Sequence, residues 1–257
     1  MADTKTRPLF SIVTVCYNAE ATIKRTIESV LAQTISDYEY LIIDGASTDK
    51  TEEYVQSYMS AFEGGAGGAL YYSSEPDDGI YDAMNKGLAA ARGEYVAFLN
   101  ADDWFEPDTL QTVASLLSPG IDCIAGATRV FAADGTATIR QPRQELLSRP
   151  YPSAMPASHQ SWFARTELLR EVGGFDTSYR IAADYDLFLR VQKLNRLWAF
   201  TSKVLANFSL GGVSYVLVAT AREYRQAKRK NGDTRFHAWI VYLRNIVASF
   251  LTRSLYK

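Results

Sequence analysis

Glu94–Asp103 reads EYVAFLNADD, an apolar run that stops at two adjacent carboxylates. The run Glu94–Asn100 predicts a strand buried on both faces, the kind found inside parallel sheets. Upstream of it, Tyr81–Arg92 has helical character and meets Gly93, a natural C-cap position. Phe10–Cys16 (FSIVTVC) and Tyr38–Asp44 (YEYLIID) are further apolar, β-branched runs that predict buried strands, and Leu70–Ser73 a third, short one. Between the first two, Ile23, Ile27, Val30 and Leu31 recur at helical spacing behind Asn18, a candidate N-cap. Thr51–Tyr58 predicts another helix, capped by Ser47 or Thr48. Strand and helix thus alternate, which predicts an α/β fold with a parallel, doubly wound sheet. Such sheets bind ligands at the carboxyl ends of their strands, so the residues just past each strand come first.

Beyond Pro107 the pattern loosens. Asp134–Gly135 predicts a hairpin turn between Cys123–Phe131 and Thr136–Arg140. Gln141–His159 holds four of the eight prolines and predicts a long irregular loop, a setting that is often functional. Helices are expected over Arg165–Val172 and Ala183–Leu194, a strand around Trp198–Phe208, and an apolar helix with scattered arginines over Phe236–Leu255. Gly64–Gly68 (GGAGG) lacks the spacing of a phosphate loop and reads as a connector.

The 257 residues are 47% hydrophobic and 22% charged, as in a globular protein with room for one large domain or a domain with an appendage. Cys16 and Cys123 have no metal-ligand spacing and read as free buried thiols, which favours a reducing, cytoplasmic setting. No apolar signal core opens the sequence, and no stretch reaches the roughly 20 apolar residues of a membrane span. The net charge of −2 hides an asymmetry: from Ala221 onward nine Lys/Arg face two Asp/Glu, against 18 basic and 27 acidic residues before it. A basic tail on an acidic body suits an anionic partner, and phospholipid at the inner face of the membrane fits it better than nucleic acid. A solvated helical face explains the same charges.

The Asp102–Asp103 pair concentrates negative charge just past a buried strand, where a cation shared with an anionic ligand relieves the cost. Mg²⁺ or Mn²⁺ typically takes one or two protein carboxylates and completes its shell with phosphate oxygens and water. Tyr17 and Asn18 follow the first strand and Asp44 ends the second, on the same sheet edge as Asp102. A ring to stack on a base and a carboxylate to accept from base or ribose are what a nucleotide pocket requires. Singly, Asn18 is a helix cap and Asp44 a turn residue. Ser161 near His159 makes no hydrolase pair, because no G-x-S-x-G elbow exists.

IVTVCYNAEATIKRTIESVLAQT, IIDGASTDKT, SEPDDGIYDAMNKGLAAARGEYVAFLNADD and GGFDTSYRIAADYDLFLR follow one another in order. Together they resemble family 2 glycosyltransferases of the GT-A fold, of the bacterial surface-polysaccharide type, over Phe10 to Arg190. The resemblance implies a Rossmann-like, mainly parallel sheet with flanking helices in a GT-A domain over 1–215, plus a basic helical tail over 216–257. A nucleotide-binding half would take about 8–120 and an acceptor half about 121–215. It implies inverting, metal-dependent transfer from a nucleoside diphosphate sugar, a UDP-sugar favoured, to a saccharide or polyprenyl-linked acceptor.

By the same resemblance, Tyr17 and Asp44 contact the base, Asp102 the ribose or the metal shell, and Asp103 is the direct metal ligand. Asp184 stands at the position of the general base, and Asp186 points elsewhere. Asp77, Asn85 and Lys86 face the donor sugar and phosphates, with Asp78 and Tyr81 as alternatives. His159 is a further candidate for the metal or diphosphate, or a structural histidine; His237 has no assigned role. GGFD (Gly173–Asp176) would set the acceptor face, and Gly211–Ser214 would form a flap over the donor. One departure is Gly45, where many members carry a second acid that contacts uracil, so the base stays open. Two other classes are alternatives. A sugar-phosphate nucleotidyltransferase needs a glycine- and base-rich loop after strand one, where this chain has YNAEAT. A non-catalytic glycan- or partner-binding protein would not need Asp102, Asp103 and Asp184. Oligomeric state is open, a dimer through the tail being one option.

Overall fold

The computed structural model describes residues 7–63, 68–132, 134–209 and 217–234. Most of the GGAGG connector, the Gly211–Ser214 flap, His237 and the Phe236–Leu255 helix lie outside the described residues. Nine strands form one sheet, and its first half is parallel. β1 (Phe10–Cys16) pairs with β2 (Tyr38–Asp44) and with β4 (Tyr95–Phe98); β2 pairs with β3 (Ala69–Ser74). All residues of β1 and β2 are buried, as their unbroken apolar runs require. The register sets Cys16 beside Asp44 and Asp44 beside Ser74, so these strand ends share one edge.

Alternate side chains serve two cores. Val13, Val15, Leu41 and Ile43 pack under α3 (Ile80–Ala90), α5 (Thr166–Glu171) and α6 (Ala183–Gln192). Phe10, Ile12, Tyr40 and Ile42 pack under α1 (Ile23–Leu31), α2 (Thr51–Glu63) and α4 (Thr109–Leu116). Two caps differ from expectation. Thr22, not Asn18, occupies the N-cap of α1. Asp49 accepts from Thr51 N (3.0 Å) and Thr51 Oγ1 (2.6 Å) at the start of α2, the place expected for Ser47 or Thr48. Gly93 is not a C-cap either: α3 ends at Ala90 with Ala91 as its C-cap, and a Cβ on Gly93 would lie 2.4 Å from the Ser11 amide nitrogen.

The second half of the sheet is mixed. β6 (Ile121–Phe131) forms the expected hairpin with β7 (Ala137–Arg140) and runs parallel to β9 (Leu197–Ser209). Two short strands escape sequence reading: β5 (Trp104–Phe105) pairs with β9, and β8 (Trp162–Arg165) lies antiparallel between β4 and β6. β8 therefore joins the two halves into a single sheet.

The first part of the basic tail forms α7 (Leu217–Lys230), which packs on α6. Ala227 and Lys228 are buried, Lys230 pairs with Asp176, and Lys228 donates to the Tyr151 carbonyl. Two of the tail's nine cations are thus tied into the fold. Among the described residues no helix is long and apolar enough to cross a membrane.

Candidate functional site

A cavity of about 1450 Å³ opens along the carboxyl edge of the parallel strands. One part of its lining comes from the sheet edge: Tyr17 and Asn18 after β1, Asp77 and Tyr81 at the start of α3, and Asn100 and Asp102 after β4. The other part includes Arg140 and Arg143, His159, Arg180, Asp184 and Tyr224. Single ligand pockets commonly run about 300–1,000 Å³, so this one has room for two substrates.

In the first part, Tyr17 is 65% exposed, a ring presented to whatever enters. Asn18 has φ 49°, in the left-handed region that Asn tolerates better than most residues. Its Oδ1 accepts from Thr48 N (2.8 Å) and its own N–H donates to Ser47 Oγ (2.8 Å), which ties the β1 and β2 loops together.

Asp44 does not line the cavity. It is fully buried, and it accepts from Ser47 Oγ (2.5 Å) and Ser47 N, Tyr72 Oη (2.9 Å) and Ser74 Oγ (2.7 Å). A carboxylate so fully supplied with donors holds strand ends together, in place of the expected base contact. Burial, with Asp44 alongside, raises the Cys16 thiol well above its usual range. Gly45 has a steric reason: a Cβ there would come within 2.5 Å of Asp77 Oδ2. Asp77 itself accepts from Gly79 N (2.8 Å) and stays on the cavity wall.

Asn85 and Lys86 also differ from expectation. Asn85 clamps the backbone of Phe175 from both sides, Nδ2 to O and Oδ1 from N, each at 2.8 Å. It thereby fixes the GGFD turn and is absent from the cavity wall. Lys86 donates to the Pro76 carbonyl and pairs with Glu75 and Asp82 outside the cavity. Of the alternatives, Tyr81 is on the wall and Asp78 is not.

The adjacent aspartates are placed differently. Asp102 lines the cavity, whereas Asp103 is fully buried behind it. Asp103 Oδ2 accepts from Gln160 Nε2 (2.8 Å), and Oδ1 faces Ser209 N at 3.4 Å. Burial and the neighbouring Asp102 charge push its carboxyl up to about 7. The pair lies in the turn after β4, where Asp103 N donates to the Asn100 carbonyl (3.1 Å), and this turn leaves Asp102 on the cavity wall with Asp103 turned inward. Beside Asp102, Asn100 Oδ1 is buried with no hydrogen-bond partner.

In the other part, Asp184 occupies the first turn of α6, and its Oδ1 accepts from Tyr185 N (2.7 Å). His159 Nδ1 lies 3.6 Å from Asp184 Oδ2, and His159 Nε2 is buried and unpartnered. Its sequence neighbour Gln160 is the residue that reaches Asp103. Asp186 points away as expected, to Arg190 (2.8 Å) and Asn231. Sequence reading missed Arg140, Arg143, Arg180, Asn100 and Tyr224. The three guanidiniums make no ion pair or hydrogen bond with other described residues, although acids outnumber bases in the body of the chain. The signal available for them was their place beside the long proline-rich loop and ahead of Asp184.

A family model described as "Glycosyl transferase family 2" matches residues 11–188. The chain belongs to glycosyl transferase family 2. An uncharacterised glycosyltransferase of Mycobacterium tuberculosis is 33% identical to it over 195 residues, 71% of this chain and 68% of the relative. A PGL/p-HBAD biosynthesis glycosyltransferase of Mycobacterium bovis is 30% identical over 216 residues, 82% and 81% of the two chains. Among solved structures, the mannosyltransferase PcManGT of Pyrobaculum calidifontis, in complex with GDP-Man and Mn²⁺, has a TM-score of 0.69 at 21% identity. That match spans 98% of this chain and 77% of the other. Staphylococcus aureus TarS 1–349 in complex with UDP-GlcNAc also has a TM-score of 0.69, at 19% identity, over 92% and 71%. The fold of this family 2 member is accordingly that of known GT-A glycosyltransferases.

Proposed function

We propose that this family 2 transferase moves a sugar, with inversion, from a nucleoside diphosphate sugar to a hydroxyl of a saccharide or lipid-linked saccharide during glycan synthesis. The observation that carries it is that Asp102 and Asp184 line one cavity large enough for donor and acceptor together. Arg140, Arg143 and Arg180, whose guanidiniums pair with no other described residue, share the wall with Asp77, Asp102 and Asp184 and offer positive groups to a substrate's phosphates.

The donor side fits a divalent cation. Asp102 offers a carboxylate, and Asn100 Oδ1 is a buried acceptor lacking a donor, which a cation satisfies as well as a hydrogen bond does. No group of three His, Cys, Asp or Glu gathers round one point among the described residues. Mg²⁺ or Mn²⁺ on this wall would therefore take most of its shell from phosphate and water, as hard cations do. When bound, such an ion neutralises charge on the departing diphosphate.

This chain's residues do the rest. Tyr17 and Asn18 offer the base a ring and an amide, and Asp77 offers the donor an acceptor group. Asp184 takes the proton of the acceptor hydroxyl as that oxygen bonds to the anomeric carbon and the bond to the diphosphate oxygen breaks. Fixed placement of both substrates removes much of the entropic barrier. A UDP-sugar is the donor we propose; the structural neighbours include complexes with UDP-GlcNAc and with GDP-Man. For the basic tail we propose contact with an anionic leaflet through residues beyond Thr234.

The test is a panel of UDP-, GDP- and dTDP-sugars, read as thermal stabilisation and as Mn²⁺-dependent release of the nucleoside diphosphate. One base class should stabilise the protein in the presence of Mn²⁺. Silence from every donor would overturn the reading.

A further inference from the structure

α7 touches the segment that carries Asp184 on both sides of that residue. Glu223 accepts from three consecutive backbone amides: Oε2 from Arg180 N (3.2 Å), Ile181 N (2.8 Å) and Ala182 N (3.0 Å). These amides lead directly into α6, whose N-cap is Ala182, a residue with no side chain able to cap. Only the Ala182 amide belongs to the helix end; those of Arg180 and Ile181 precede it, and all three converge on one carboxylate in charge-assisted bonds that fix the chain's entry into α6. Here that carboxylate comes from another helix, about forty residues downstream.

One residue further, the Tyr224 ring stacks on Tyr185 at 4.0 Å and 6°, while also lining the cavity. Tyr185 is fully buried and adjoins Asp184 in sequence. Asn231 Nδ2 donates to Asp186 Oδ1 (2.8 Å), and Lys230 pairs with Asp176. α7 and the residue that follows it, Asn231, therefore hold residues before, beside and after Asp184, yet lie wholly outside the span matched by the family model, which ends at 188.

We infer that α7 completes the acceptor side of the site, with Glu223 as a positioning residue for Asp184 and Tyr224 as an aromatic wall for the acceptor's sugar ring. Glu223 fixes the backbone from which Asp184 reaches the cavity. A rigid ring offers an apolar surface to the C–H face of a pyranose at low entropic cost, a common feature of ligand pockets. The inference rests on Asp184 serving as base. Its test is chosen so that donor binding, the basis of that wider reading, is scored separately.

The full chain is compared with Glu223→Ala, Glu223→Gln and Tyr224→Ala. Three readouts are taken: amide exchange at residues 180–182, thermal stabilisation by UDP with Mn²⁺, and release of UDP from UDP-GlcNAc with water or 4-nitrophenyl glycosides as acceptor probes. If another base class answers the donor panel, its nucleotide and sugar replace these. Glu223→Ala should lose exchange protection at 180–182 and fall at least about ten-fold in kcat, with nucleotide stabilisation intact. Glu223→Gln keeps one acceptor oxygen and should recover part of both. Tyr224→Ala should raise the KM of the glycoside probe about five-fold or more while changing kcat little.

Turnover within about two-fold of the parent, despite lost protection in either Glu223 variant, would overturn the positioning role. If Glu223→Ala fails to fold, Glu223→Gln carries that comparison alone. An unchanged glycoside KM in Tyr224→Ala would overturn the wall. Lack of nucleotide stabilisation in the parent would instead strike the donor reading.

Discussion

The two parts of the cavity, called here the donor side and the acceptor side after the roles proposed for them, are built on different physical terms. The donor side is the edge of a parallel sheet, where β1, β2 and β4 are buried throughout and their ends are held in register by ladder hydrogen bonds. The acceptor side is assembled from a long loop, the turn before α6 and a helix from the far end of the chain. Position on the first side follows from backbone pairing between neighbouring strands. On the second it depends on side-chain contacts between segments far apart in sequence, such as Asn85 with Phe175 and Glu223 with Arg180–Ala182. A scaffold edge of fixed shape suits a ligand with an invariant part, whereas loops are free to differ with the acceptor.

The largest expected effect separates chemistry from binding across this divide. Asp184→Asn should lower turnover by about 10²-fold or more, the usual worth of a general base. Nucleotide affinity, measured by calorimetry with Mn²⁺, should stay near that of the parent. A parallel loss of nucleotide binding would show that the two sides are not separable.

Next comes stability within the donor edge. Asp103→Ala should destabilise the protein by about 2–4 kcal/mol in urea unfolding, because Gln160 Nε2 and Ser209 N lose their buried acceptor. That substitution tests whether Asp103 supports the fold behind Asp102. A variant of parental stability that has lost only its Mn²⁺ response would return Asp103 to the role of direct ligand.

The smallest effect is local. Gly45→Ala places a methyl 2.5 Å from Asp77 Oδ2 and must displace that side chain. A rise of about two- to five-fold in donor KM, with kcat little changed, is expected if Asp77 touches the donor. An unaltered KM would remove Asp77 from the donor side.

The contrast also explains what could be read from sequence. Buried parallel strands announce themselves as unbroken apolar runs, so β1, β2, β4 and the cavity edge beyond them were legible, with Tyr17, Asn18, Asp77 and Asp102 on it. Asp44 shared the edge, but sequence does not show that Ser47, Tyr72 and Ser74 would supply its carboxylate with donors. Nor does it show which of two adjacent aspartates turns outward. Asn85 and Lys86 sit one residue apart on α3, and their partners, Phe175 and Glu75, are set by tertiary packing alone. β8 is only four residues long, too short for a periodic signal beside the proline-rich loop. Asp184 was legible through its sequence neighbourhood, whereas its support from Glu223 and Tyr224 spans about forty residues and has no local signature.

The central claim is that Asp102 holds a divalent cation on which the donor's diphosphate depends. The most direct test is calorimetric titration of the nucleoside diphosphate selected by the donor panel, with and without Mn²⁺, into the parent and into Asp102→Ala. The parent should bind the nucleotide at least about ten-fold more tightly with Mn²⁺, a difference near 1.4 kcal/mol, and the variant should show no such gain. Equal Mn²⁺ enhancement in both proteins would contradict the account.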